Sequence, residues 1–171
     1  MAHPIYWHRP LNRPQHLSED KNAVKKKVAA FILRANTHGA NELLVHSFAE
    51  LPSVPRRVPG GGVDQGEAPE HAVYREVREE TGLEQLELVR KLGIQHYYKP
   101  YLQADVERHD FLFRLPAEAP NAWDYAVKGK GADAGEIFCH HWIGVSDLES
   151  VDEEHRRYIT LDYLPELFKR G

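Results

Sequence analysis

Three glutamates, Glu76, Glu79 and Glu80, stand at positions i, i+3 and i+4. On a helix this spacing puts them on one face, where each close like-charged pair costs roughly a few tenths of a kcal/mol. Arg75 lies four residues before Glu79 and can offset part of that repulsion, and Arg78 adds a further positive charge nearby. Three carboxylates converging on so small a patch suit a hard divalent cation. Magnesium favours carboxylate oxygens, keeps several waters and is usually shared with substrate phosphates. A charged stretch such as 75–80 also fits a solvated helix face, so the flanks decide between the two readings. Just before it comes Gly60-Gly61-Gly62. A glycine-rich loop brings backbone groups close to a phosphate or metal without interference from Cβ, and a helix start favours anions.

The elements that must hold this patch can be read from pattern. Helix formers run from 70 to 81, Pro69 suits a first turn, and Gly82 is a natural stop. Ala72, Val73 and Val77 form the packing side of that helix. Upstream, 28–34 reads as a buried strand, 36–39 as a turn and 42–48 as a second strand of a hairpin. Pro52, Pro55 and Pro59 make 51–59 an extended loop. Downstream, 86–94 reads as a strand leading into 96–101, and 108–115 as another. Residues 116–135, with Pro116, Pro120, Gly129 and Gly131, read as loop, and 137–145 as a late strand. Ser146-Asp147 can cap a mainly helical tail over 148–169, interrupted near Pro165. Residues 1–22 read as irregular, followed by one domain over 23–171. Strands, one loop-flanked helix, more strands and a terminal helix make an α+β arrangement, a mixed central sheet with helices on its faces.

The spacing goes further. Gly61, five residues, Glu67, seven residues, Arg75-Glu76-Val77, one residue, Glu79-Glu80, one residue and Gly82-Leu83 resembles the complete Nudix box, G-x5-E-x7-R-E-U-x-E-E-x-G-U, where U is bulky and aliphatic. Fixed spacing over so many constrained positions is a far more specific signal than a lone glycine motif. The resemblance implies an α/β/α sandwich and hydrolysis of a phosphoanhydride bond in a nucleoside diphosphate linked to another moiety. It implies Mg²⁺, with Mn²⁺ able to substitute. Glu76 and Glu80 would be the principal metal ligands, Glu79 a ligand directly or through water, and the Gly60 carbonyl a further one. Arg75 would orient the glutamates, Glu67 would brace the loop or assist the metal, Val73 and Val77 would anchor the helix, and Gly82 would turn the chain out. The general base stays open between Glu79 and Glu136, which follows the glycine-rich stretch 129–135. A non-catalytic Nudix-like nucleotide sensor is the alternative, although such relatives usually lose box glutamates. An isoprenoid diphosphate isomerase would need a catalytic cysteine, and Cys139 lies late in the chain.

Bulk properties exclude several classes. A length of 171 residues fits one domain with a sizeable core. A net charge of −4 gives no overall basic excess pointing to nucleic acid, and the family resemblance implies a small, nucleotide-like substrate as the partner. The longest apolar run, 28–33, is too short for a bilayer, and 1–14 has no apolar core of a signal peptide. A single cysteine rules out an internal disulfide and suits the cytoplasm. A homodimer is compatible with the sequence but not specified by it. Specificity signals are weaker. Tyr98, like Tyr97, Tyr101, Trp123, Tyr125 and Trp142, could stack on a base or simply pack. Arg57, with Arg56, could meet a phosphate or face solvent. Lys25-Lys26-Lys27 reads as a solvated strand entry rather than a phosphate contact. His140 and His141 fall on opposite faces of a strand, and Cys139 reads as a buried packing residue.

Overall fold

The apolar run 28–33 lies in strand β2 (Lys25–Ala35), and the protein is built around it. The computed structural model describes residues 5–8, 24–116 and 118–169. Ala29, Phe31 and Leu33 point to one side of the sheet, and Val28, Ala30 and Ile32 to the other. Both sides are covered, which is why the strand reads as a continuous apolar run and not an alternating one.

The remaining strands are β1 (Ile5–His8), β3 (Asn41–Phe48), β4 (Gly60–Gly62), β5 (Glu87–Lys99), β6 (Ala104–Arg114), β7 (Ala122–Ala126) and β8 (Ile137–Ile143). Among the described residues they form one sheet in the order β1-β5-β6-β2-β3-β8-β7, with β4 also paired to β2. The pairs β2–β6 and β1–β5 are parallel and the others antiparallel, so the sheet is mixed, as expected.

One irregularity of pairing opens the site. β3 pairs with β2 only from Leu33 to Ala35. Over Lys27 to Ala29 the same edge of β2 pairs with β4, while β3 continues along β8 as far as Phe48. The two partners of β2 diverge, and a cleft lies between them.

Helix α1 (Pro69–Thr81) covers one face. It has proline in its first turn and ends at Gly82, whose φ of 76° is the left-handed conformation that glycine adopts without strain. Ala72, Val73 and Val77 are fully buried against the sheet. At roughly 1.5–3 kcal/mol for each buried valine, this packing anchors the helix and fixes which face its glutamates present.

The other face is covered by the C-terminal segment, which departs from the expected helical tail. It contains a 3-10 turn (Val145–Ser150) and two single-turn helices, α2 (Glu153–Arg156) and α3 (Pro165–Phe168), joined by turns. Leu164, which precedes Pro165, is held outside the helical region at φ −130° and ψ 60°. Tyr158, Ile159, Tyr163, Leu164 and Leu167 are nevertheless buried against Phe31, Leu33, Val45 and Leu112. Their burial, rather than continuous helix, holds the segment down.

Three other expectations need correction. Within 1–22, expected to be irregular, Ile5–His8 forms a strand beside β5, where the exposed edge of a neighbour supplies the pairing; residues 1–4 and 9–22 lie outside the described residues. The loop expected over 116–135 contains β7, which sequence pattern misses because Ala122–Ala126 is short and has no fully buried residue. Strand β5 runs to Lys99, so 96–99 belong to it. No helix among the described residues is long and apolar enough to cross a membrane.

Candidate active site

The site forms where α1 meets the glycine strand. Glycine at 60 and 61 is a steric requirement. A Cβ on Gly60 would lie 2.2 Å from the Val28 carbonyl oxygen, and one on Gly61 would lie 2.4 Å from the Glu76 carboxylate. The Gly60 N–H donates to Glu80 Oε2 at 3.0 Å. Backbone and carboxylates therefore share a space that side chains on β4 would fill.

Arg75 organises the acidic face. Its Nε and one terminal nitrogen both donate to Glu67, at 2.9 Å each. The other terminal nitrogen donates to Glu76 Oε1 at 2.9 Å and Glu79 Oε2 at 3.2 Å. A further bond to the Gly62 carbonyl, at 2.9 Å, ties α1 to β4. The planar guanidinium suits this fork geometry, which a lysine cannot reproduce.

The carboxylates sit in different environments. Glu80 is 3% exposed. Burial pushes it well above the usual carboxylate range, against the pull of the Gly60 N–H, and the charges of Glu76 and Asp133 push the same way. Burial also raises Glu76; Arg75 opposes this, while Glu79 and Asp133 add to it. Glu67 is the reverse case, held down at about 2 by its hydrogen bonds from Arg75. A buried and a partly buried carboxylate under mutual repulsion form a hard oxygen donor set that a divalent cation would relieve. Among the described residues no three His, Cys, Asp or Glu side chains are grouped at metal-ligand spacing. Glu76 and Glu79 are turned onto Arg75, and Glu80 onto the Gly60 N–H.

These residues line one side of a cleft of ≈ 860 Å³, a size that suits a nucleotide-like ligand. The stretch 127–136 closes over its end. Lys128 N–H donates to the Glu79 carbonyl at 2.8 Å, fastening this loop to α1. Gly129, at φ 92°, passes so close that a Cβ there would lie 2.5 Å from the Glu79 carboxylate. Asp133 and Glu136 both line the cleft, Glu136 exposed and Asp133 partly buried.

The opposite wall is cationic. Lys99 pairs with Glu154 at 3.0 Å, and Arg57 with Asp152 at 3.2 Å. Arg108, 1% exposed, pairs with Asp110 at 2.7 Å. Tyr97 donates its hydroxyl to Glu154. Lys27 lines the same wall, and burial lowers its pKa, with Lys99 adding to the effect. Phe48 and Phe138 supply an aromatic corner, their rings edge to face at 5.1 Å.

The structure thus brings together Gly60, Arg75, Glu76, Glu79, Glu80, Glu136 and Arg57 around one cleft. Tyr98 is the exception. It is 6% exposed and outside the cleft lining, because Gln95, Tyr97 and Lys99 take the side of β5 that faces the C-terminal segment. Among the other aromatic candidates, Trp123 donates to the Thr81 carbonyl at 3.0 Å, Tyr125 lies against Gly82 and Trp142 lies under Arg34. All three pack rather than line the cleft, and the Tyr101 side chain lies outside the described part of the structure. His140 is buried with Nε2 at 2.8 Å from the Glu80 carbonyl, supporting the end of α1. Cys139 is half-buried rather than in the core.

Sequence reasoning missed Asp133, Lys27, Glu154, Phe48 and Phe138. For Asp133 a signal existed: an acid set among Gly129, Gly131 and Gly135 next to a strand. Phe48 and Phe138 are partners in the β3–β8 register, which single-strand pattern cannot supply.

Comparison with known proteins agrees with this fold. Residues 25–162 match the family model of the NUDIX domain. The chain belongs to the Nudix family. An RNA pyrophosphohydrolase of Tolumonas auensis is 28% identical over 131 residues, covering 66% of this chain and 75% of that protein. One from Nitratiruptor sp. is 31% identical over 70 residues, which span 41% of this chain and only 44% of the relative. Among solved structures, the Escherichia coli dihydroneopterin triphosphate pyrophosphohydrolase superposes with a TM-score of 0.60 at 16% identity, over 82% of this chain and 94% of that one. A binary complex of a Caenorhabditis elegans Ap4A hydrolase gives 0.55 at 21%, over 78% and 90%. These likenesses concern the fold, an α+β sandwich around a mixed sheet.

Proposed function

We propose that the protein is a divalent-cation-dependent pyrophosphohydrolase that cuts a phosphoanhydride bond in a small nucleotide-like compound. One observation carries the reading: Glu76 and Glu80 converge on the side-chain-free strand Gly60–Gly62 in a cleft whose opposite wall is cationic. The metal we assign is Mg²⁺, with Mn²⁺ as a substitute, held by Glu76, Glu80 and the Gly60 carbonyl, and by Glu79 directly or through water. Bound there, it would neutralise phosphate charge and lower the pKa of a water molecule.

The chain's own residues do the rest. Arg75 holds Glu76 and Glu79 in place, and Glu67 clamps Arg75. Glu79 or Glu136 takes the proton of the water that attacks phosphorus in line with the leaving phosphate. Arg57, half-exposed on the facing wall, is placed to meet a phosphate. The products are a nucleoside monophosphate and a phosphorylated remainder.

The test is a panel of phosphoanhydride compounds assayed for phosphate or monophosphate release with Mg²⁺ or Mn²⁺. It includes ADP-ribose, diadenosine tetraphosphate, nucleoside triphosphates and RNA bearing a 5′-triphosphate. Glu80→Gln keeps an acceptor for the Gly60 N–H, so it should fold, yet lose about a hundredfold or more in turnover. Glu79→Gln should also lower turnover. Equal turnover by the wild type and both variants overturns the assignment.

A further inference from the structure

Of the four cations on the wall facing the glutamates, three are matched. Arg57 has Asp152, Lys99 has Glu154 and Arg108 has Asp110. Lys27 differs. It is half-buried, yet among the described residues it has no hydrogen bond and no ion pair. Glu154, the carboxylate on this wall nearest in effect to Lys27, is already engaged by Lys99 and Tyr97. A partly buried charge without a direct partner costs stability, and the residues that follow it, Val28 to Leu33, show that this strand readily takes apolar side chains.

Its position says what would match it. Lys27 pairs in register with Gly62, and Val28 with Gly61. The glycine strand therefore runs between Lys27 and Glu76, whose carboxylate fills the space where a Gly61 side chain would be. At Gly62 a Cβ would meet nothing within 4 Å, so the floor is open there. A phosphate chain lying along this strand has the acidic face on one flank and a free ammonium on the other.

We propose that Lys27 is a specificity-determining residue that pairs directly with a phosphate beyond the cleaved bond, so that the cleft prefers nucleoside tri- and polyphosphates to diphosphates whose far end is neutral. This rests on the pyrophosphohydrolase reading of the same cleft. The lysine needs no metal to act. A second phosphate contact of this kind discriminates by the length of the anionic chain, because a neutral sugar in the same place leaves the ammonium without a counter-charge.

The experiment compares wild type, Lys27→Met and Lys27→Arg. Inorganic tripolyphosphate is titrated calorimetrically without divalent cations, and the binding constant of Lys27→Met should fall about tenfold or more, the usual worth of a charged hydrogen bond. Lys27→Arg should retain most of the binding. The thermal midpoint of Lys27→Met should equal or exceed that of the wild type, since an unmatched charge is removed. With Mg²⁺ present, the preference in kcat/KM for diadenosine tetraphosphate over ADP-ribose should drop about tenfold in Lys27→Met. Unchanged tripolyphosphate binding, or equal losses on both substrates, would overturn the proposal. If the wild type hydrolyses no compound, the enzymatic reading fails, and the titration still decides the role of Lys27.

Discussion

Asp152 joins the C-terminal segment to the cleft wall, and its charge can be removed almost without changing its shape. It accepts the His155 N–H at 2.9 Å as the cap of α2, meets His155 Nδ1 at 2.7 Å and pairs with Arg57 at 3.2 Å. Burial alone would raise its pKa, but the hydrogen bonds and charge of His155, helped by Arg57, bring it from 3.8 down to about 2. Its side chain is 16% exposed, so solvent screens little of this. A depressed carboxylate contributes stability that is fully present above its unfolded pKa and is lost as pH falls through the folded one. The gap between 3.8 and about 2 corresponds to about 2 kcal/mol. Asp152→Asn keeps a capping oxygen and removes the charge. Urea denaturation at pH 5 should show a loss of about 2 kcal/mol, or roughly 4–8 °C in thermal midpoint for a domain of this size. At pH 2.5 the difference should shrink to roughly a third, because the wild-type carboxyl is then largely protonated in the unfolded chain and partly so in the folded one. A loss of equal size at both pH values would refute the electrostatic argument and leave only packing.

Two further substitutions probe the loop over the cleft. Gly129→Ala places a Cβ at φ 92° and 2.5 Å from the Glu79 carboxylate, so thermal melts should show a loss of roughly 1–3 kcal/mol, accompanied by reduced turnover as Glu79 shifts. Glu136→Gln changes an exposed side chain and should leave the thermal midpoint nearly unchanged while lowering turnover about a hundredfold, the usual worth of a general base. Unaltered kinetics in that variant would remove Glu136 from the site.

The parts of this protein that were legible in its sequence are those in which physics acts locally. The span of α1 follows from Pro69, the Val73 and Val77 spacing and Gly82, and each does what its type dictates. β2 is legible because six consecutive apolar residues leave few alternatives. The acidic face was visible from three spacings on one helix. What stayed hidden depends on partners far away in the chain. β7 exists because β8 offers an edge, and Trp123 is held by the Thr81 carbonyl 42 residues earlier. The tail looked helical from composition, yet Tyr158, Tyr163 and Leu167 seat themselves on the sheet in short turns. Tyr98 differs from the expectation for a related reason: neighbouring tyrosines on a strand point in opposite directions, and only the sheet shows that Tyr97 turns toward Glu154 while Tyr98 is buried away from the cleft. Lys27 looked like one of three equivalent lysines until β4 was placed beside it.

Strand β2 sends alternate side chains into two apolar clusters that have no residue in common. The helix with its acidic face rests on one cluster, and the segment carrying Asp152, Glu154 and His155 rests on the other. The two halves of the cleft are thus mounted on separate foundations that share a single wall. Side chains of residues 145–169 that lie outside the core cluster can change, and with them the outline offered to a ligand, while the helix underneath the glutamates keeps its seating. Such a layout lets recognition diversify among descendants of one ancestor without each change having to be reconciled with the chemistry.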